Sequence, residues 1–124
     1  MLKHIKFHKD IYESWRWFNM SIYEQLANIW AEVGRSINNK NSWNIQRFDE
    51  SIQRAYELFD MSIDDKKFRN TPKLKEILMI KELVWDYFFW DNEYKSDKNF
   101  FDRYFFEISV IAQEERKKRR LLKK

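Results

Sequence analysis

Residues 21–63 read SIYEQLANIWAEVGRSINNKNSWNIQRFDESIQRAYELFDMSI, and two helical periods joined by a short polar stretch decide the fold. Ser21-Ile-Tyr-Glu24 is a capping box, in which the Ser side chain and the Glu three residues on satisfy backbone donors reciprocally. After it Ile22, Leu26, Ile29, Trp30, Val33 and Ile37 recur at helical spacing. Beside that face Ala27, Ala31 and Gly34 form a stripe of small residues, where a neighbouring helix is expected to approach closely. Asn38 to Ser42 reads as a polar connection. Ile45, Phe48, Ile52, Ala55, Phe59 and Ile63 then step by three and four, giving a second helix that ends near Asp64.

Thr71-Pro72 is a start signal, because Pro at the first helical position loses only a donor that would be orphaned anyway. The third helix is expected to run to about Trp90. A polar link from Asp91 to Lys95 leads to Ser96 as N-cap of a fourth helix, which continues through Gln113 into a basic end. Residues before Met20, with Trp15, Trp17 and Phe18, read as a short extra helix or lid. The expected fold is all-α, an antiparallel four-helix bundle with a short N-terminal extra segment. Residues 1–124 are expected to form one domain, divided into an N-terminal segment 1–20, a bundle 21–115 and a basic C-terminal extension 116–124.

Composition excludes several alternatives. A chain of 124 residues buries roughly two thirds of the surface its unfolded form exposes. One Gly and one Pro leave too little for a turn-rich β protein or a glycine loop that cradles phosphate. Without Cys there are no disulfides, thiolate zinc sites or Cys nucleophiles, which fits a reducing compartment. Charges interrupt Met1 to Asp10 where a signal peptide is apolar, and no uncharged run approaches the ~20 residues that span a bilayer. A cytoplasmic protein without membrane contact is expected.

Eleven of the 23 aromatic residues fall between Val84 and Phe106. Angular placement at about 100° per residue puts Leu74, Ile77, Leu78, Val84, Trp85, Phe88 and Phe89 on one face of the third helix. Phe100, Phe101, Tyr104, Phe105, Ile108, Ile111 and Ala112 share a face of the fourth. Met79, Ile80, Leu83, Tyr87, Trp90, Phe106 and Val110 are left pointing outward, as an interface for a second copy or a protein partner. The alternative is that Trp15, Trp17 and Phe18 fold over and cover them.

Charge is segregated as well. Arg116, Lys117, Lys118, Arg119, Arg120, Lys123 and Lys124 make seven of the last nine residues basic, leaving 17 basic against 20 acidic residues elsewhere, a net of −3. This end is expected to attach to a nucleic-acid backbone, RNA or DNA, without reading bases. Basic residues at a helix C-terminus also simply favour the macrodipole and solubility. Leu121 and Leu122 alone are too little for a membrane anchor.

Candidate chemistry is sparse. His4 and His8 are the only histidines, and their spacing suits a metal only if the segment is helical and a further ligand is near. Elsewhere the chain has no Glu-x-x-His for a di-iron bundle and no His base for a triad. HEPN-type ribonucleases need Arg followed five residues on by His, and Arg69-Asn70-Thr71-Pro72 has none. Glu57, Asp60, Glu82 and Asp86 imitate the acidic pairs of magnesium-dependent all-α nucleotide hydrolases. Their helical angles, however, send Glu57 and Asp86 largely toward water. Lys81 falls within an apolar face and is expected to pair with Asp49 or Asp60. No cofactor, metal site or catalytic residue is assigned.

Glu24-Gln-Leu-Ala-Asn-Ile29, Arg54-Ala-Tyr-Glu-Leu-Phe-Asp60 with Ser62-Ile63, Asp86-Tyr-Phe-Phe89 and Asp91-Asn-Glu-Tyr94 together resemble motifs of a family of small uncharacterised bacterial and archaeal proteins. The resemblance covers most of residues 17–106 and implies a compact helical protein with no activity to carry over. Trp90 and Lys95 stand where that family has glycine, and Lys81 where it has Arg. By fold-level analogy, small basic four-helix bundles serve as accessory subunits of reverse transcriptases and RNA-guided complexes. The expected function is a non-enzymatic adaptor that self-associates or docks on a protein and contacts nucleic acid through its basic end. The alternatives are the magnesium-dependent hydrolase and a purely structural subunit.

Overall fold

A computed structural model describes residues 2–123. The helices are α1 (Lys9–Glu13), α2 (Ile22–Asn41), α3 (Ile45–Ile63), α4 (Pro72–Phe89) and α5 (Lys98–Leu122), with a single 3₁₀ turn at Lys66–Phe68. The protein is all-helical, and among the described residues there is no strand. No helix among them is long and apolar enough to cross a membrane.

Polar caps set the helix starts. Ser21 Oγ accepts from the Glu24 N–H at 3.2 Å, Asn44 Oδ1 from Arg47 at 3.1 Å, and Asp97 Oδ1 from Phe100 at 2.7 Å. Asp97, not Ser96, therefore caps α5. Ser96 is buried in the link instead, its N–H donating to Asn92 Oδ1 and its carbonyl accepting from Asn92 Nδ2. The connection expected at Asn38–Ser42 is mostly helix, since the Ser42 N–H still reaches the Asn38 carbonyl. Only Ser42 to Asn44 reverse the chain, with Trp43 at φ 59° in the left-handed region. That conformation is costly for a bulky residue, and the chain has a single Gly to offer elsewhere.

Helix α2 lies between α3 and α5, and α4 packs on α3 and the 3₁₀ turn. Ile22, Leu26, Ile29, Val33 and Ile37 are buried along α2, facing Ile52, Ala55 and Phe59 of α3 and Phe101, Phe105, Ile108 and Ala112 of α5. Each such side chain contributes about 1.5–3 kcal/mol on burial. Trp30 stacks nearly parallel on Phe105, ring centres 4.6 Å apart. Close approach of α2 and α3 occurs at Ser36 and Ser51, whose hydroxyls bond at 2.9 Å. The stripe Ala27, Ala31, Gly34 takes no part: a Cβ on Gly34 would meet nothing within 4 Å, and Ala31 is exposed.

The N-terminal residues are integrated into the fold. Ile5, Tyr12 and Trp17 are buried, and the buried Gln25 amide donates to the Trp17 carbonyl and Asp65 while accepting from Ser62. Both ends of the Gln25 amide are hydrogen-bonded, which offsets the cost of burying it and ties three segments together, although the buried Trp17 indole N–H has no partner among the described residues. Trp17 and Phe18 thus sit against α2 and the 3₁₀ turn. They do not cover Met79, Trp90 or Phe106, which remain exposed.

Candidate functional site

The basic residues ride on the last turns of α5, which stays helical through Leu122. Arg116 and Arg119, three apart and so on one face, converge on Glu24 of α2. The Arg119 Nη2 to Glu24 Oε2 distance is 2.6 Å and the Arg116 Nε distance 3.6 Å. Glu24 is buried, so its side chain serves this clamp and not the reciprocal half of the expected capping box. Ser21 Oγ adds a hydrogen bond to Glu115. Lys117, Lys118, Arg120 and Lys123 are exposed and make no ion pair among the described residues. Lys124 lies outside the described residues. Two of the seven expected contact residues are therefore structural anchors, and four present free charge.

The expected apolar interface divides in the same way. Met79, Trp90, Phe106 and Val110 are exposed, Trp90 at 64% and Phe106 at 68%. Ile80, however, is fully buried, and Leu83 and Tyr87 are half-buried against the core, Tyr87 edge-on to Phe101. The buried stripe of α4 is Ile77, Ile80, Val84 and Phe88. Trp85 and Phe89, expected inside, lie 80° or more from its centre by helical geometry and are 50% and 42% exposed. Leu78 and, on α5, Ile111 are likewise exposed. The two residues that sequence reasoning missed are the most exposed large apolar ones near the α2–α3 turn, Trp43 at 86% and Ile45 at 78%. Ile45 was expected on the core face, but it is the first residue of α3 and opens onto a surface groove that it shares with the end of α2. The signal available for Trp43 was an isolated indole inside a polar run.

The four carboxylates weighed as magnesium ligands are each engaged within the protein. Glu57 does not point at water: it is 6% exposed and accepts from the N–H groups of Lys6, Phe7 and His8 at 2.8, 2.8 and 2.6 Å. Asp86 is also buried, accepting from the Glu93 and Tyr94 N–H groups at 2.9 and 3.2 Å. Asp60 pairs with Lys81 at 3.0 Å, one of the two partners expected for that lysine, and with His4 at 2.9 Å. Glu82 accepts from the Tyr94 hydroxyl. Residues 2–8 are not helical, so His4 and His8 do not share a helix face, and His8 meets Glu57 at 3.1 Å. Among the described residues no three His, Cys, Asp or Glu converge as metal ligands.

Four tyrosine hydroxyls, of Tyr12, Tyr56, Tyr94 and Tyr104, are held above their ordinary range. Burial raises Tyr12 and Tyr56, burial followed by the Glu76 hydrogen bond raises Tyr104, and the Glu82 hydrogen bond raises Tyr94. Such shifts move these groups away from acting as bases at neutral pH. The geometry thus offers charge and apolar surface and no activated nucleophile among these hydroxyls. Compared with known proteins, the chain matches no family model, no curated protein and no solved structure.

Proposed function

We propose that the chain is a non-enzymatic accessory protein, an antiparallel four-helix bundle that grips a nucleic-acid backbone with the end of α5 and meets a second copy or a protein partner through exposed apolar residues. The antiparallel arrangement is supported by Glu24, which joins the beginning of α2 to the end of α5, and by the three-residue reversal between α2 and α3. One observation carries the nucleic-acid reading: Lys117, Lys118, Arg120 and Lys123 stand free at the end of α5, where Arg116 and Arg119 are fixed on Glu24. The lack of Cys supports a cytoplasmic setting. Apolar side chains as exposed as Trp90 and Phe106 support a contact surface on α4 and α5.

Replacing the four free cations by Gln is expected to abolish retention of a duplex oligonucleotide at moderate salt while leaving the melting temperature in place. Unchanged retention would overturn the nucleic-acid reading. For the second surface, light scattering at increasing concentration is expected to show association that Trp90→Ser with Phe106→Ser removes. A clean monomer at every concentration overturns self-association.

A further inference from the structure

The α2–α3 end of the molecule combines features that neither the basic end nor the α4 and α5 residues explain. Trp43 projects an 86%-exposed indole from a left-handed backbone position. A groove of ≈ 430 Å³ beside it has Ile45 and Phe48 as apolar lining and Lys40 on its wall. Phe48 is backed by Phe88 and Phe89, ring centres 5.3 and 6.1 Å away, which stiffens that floor. Lys40 is held over the Tyr87 and Phe88 rings and against the Phe88 carbonyl.

A second groove shares Asn39 with the first and is lined by Arg35, Arg47 and Arg54. Arg35 and Arg54 each use one donor on the buried Glu32 carboxylate, at 2.7 and 3.1 Å, leaving other guanidinium N–H groups uncommitted in a fixed fork. Arg47 makes no ion pair among the described residues. Four cations (Arg35, Lys40, Arg47, Arg54) face two carboxylates (Glu32, Glu50), a local +2 on a chain whose residues before the basic end carry a net −3.

We infer that this surface is a second site, for a single-stranded segment of nucleic acid, with an unpaired base stacked on Trp43 over the apolar groove and the adjoining phosphate held by Arg47 and the Arg35–Arg54 fork. An exposed ring beside fixed cations is the pairing that single-strand binders use, because every base has a face to stack. A purely apolar partner leaves the arginine groove unused. A duplex offers no free base face to Trp43. The site stands toward the far end of α2 from Glu24, with Arg35 about 16 Å and Lys40 about 24 Å along the helix axis at a rise of about 1.5 Å per residue, so it is separable from the basic end.

The test uses the full chain with Lys117, Lys118, Arg120 and Lys123 replaced by Gln, and a fluorescent 12-mer of uridine RNA read by anisotropy. This variant is expected to retain single-strand binding that an equal-length duplex does not compete away. Adding Trp43→Ala is expected to weaken it about tenfold and Arg47→Glu by a similar factor, whereas Trp43→Phe, which keeps a ring, retains most of it. Both positions are exposed, and an unchanged melting temperature separates lost contact from lost fold. No single-strand binding by the Gln variant, indifference to Trp43→Ala and Arg47→Glu, or equal competition by duplex overturns the inference. So does loss of self-association in Trp43→Ala with RNA binding intact, which assigns the surface to protein contact. Duplex binding by the unaltered chain reports on the basic end alone, so failure of that reading and of this one are distinguishable.

Discussion

Both ends of the chain are held by a buried glutamate, but the two holds differ in kind. Glu57 captures the N-terminal residues through three consecutive backbone N–H groups, whereas Glu24 captures the end of α5 through two guanidinium groups. Part-buried amides gathered on a buried carboxylate lose that partner together when it is removed. Half-exposed arginines turn back to water at little cost. The N-terminal hold is therefore the more stabilising, and the C-terminal hold the more responsive to salt and to competing anions.

Glu57→Ala is the sharpest way to break that contrast. It orphans the Lys6, Phe7 and His8 amides and should destabilise the protein by about 3 kcal/mol, with hydrogen exchange at those amides rising to unprotected rates. Glu24→Ala should cost less, about 1 kcal/mol by denaturant titration, because Arg116 and Arg119 rehydrate. Raising salt to about 1 M, where the screening length falls to about 3 Å, should shrink the Glu24 effect and leave the Glu57 effect nearly intact. An equal response of both variants to salt would erase the distinction.

The smallest effect concerns pH. The Tyr12 hydroxyl accepts from the Leu2 N–H and donates to Asp64, and burial raises it above its ordinary value of 10.0. A raised acid binds more protons folded than unfolded at alkaline pH, so its contribution is complete below pH 10 and lost progressively above it. Protection of the amides from Leu2 to His8, relative to their intrinsic exchange rates, should then fall above pH 10. In Tyr12→Phe the alkaline fall should disappear.

The legibility of the sequence followed the same division between side-chain pattern and backbone contact. The starts of α2 and α4 and the end of α3 could be read because the Ser21 cap, Pro72 and the apolar steps are local, and the α2 face from Ile22 to Ile37 was correct, whereas α2 runs on through Asn41 into the expected connection. The roles of Glu57 and Asp86 were not legible, since their partners are backbone amides, which leave no mark in side-chain spacing. For Glu57 a faint signal existed: Leu58 and Met61 are apolar, lie off the main face of α3, and are buried with it. On α4 the apolar residues run around the helix, so periodicity could not choose among faces. Packing on α3 and the 3₁₀ turn chose Ile77, Ile80, Val84 and Phe88, leaving Trp85 and Phe89 outside. The basic end was legible as a charge run, but its division into clamp and free cations required knowing that Glu24 lies beneath it.

That division is the centre of the functional account, and the salt dependence of duplex binding tests it most directly. With four free cations engaged, log K should fall against log salt with a slope near −3.6, about −0.9 for each phosphate neutralised. Substituting Lys117, Lys118, Arg120 and Lys123 by Gln should flatten that slope almost to zero. A slope that survives those substitutions, and instead disappears with Arg116→Gln and Arg119→Gln, would contradict the account.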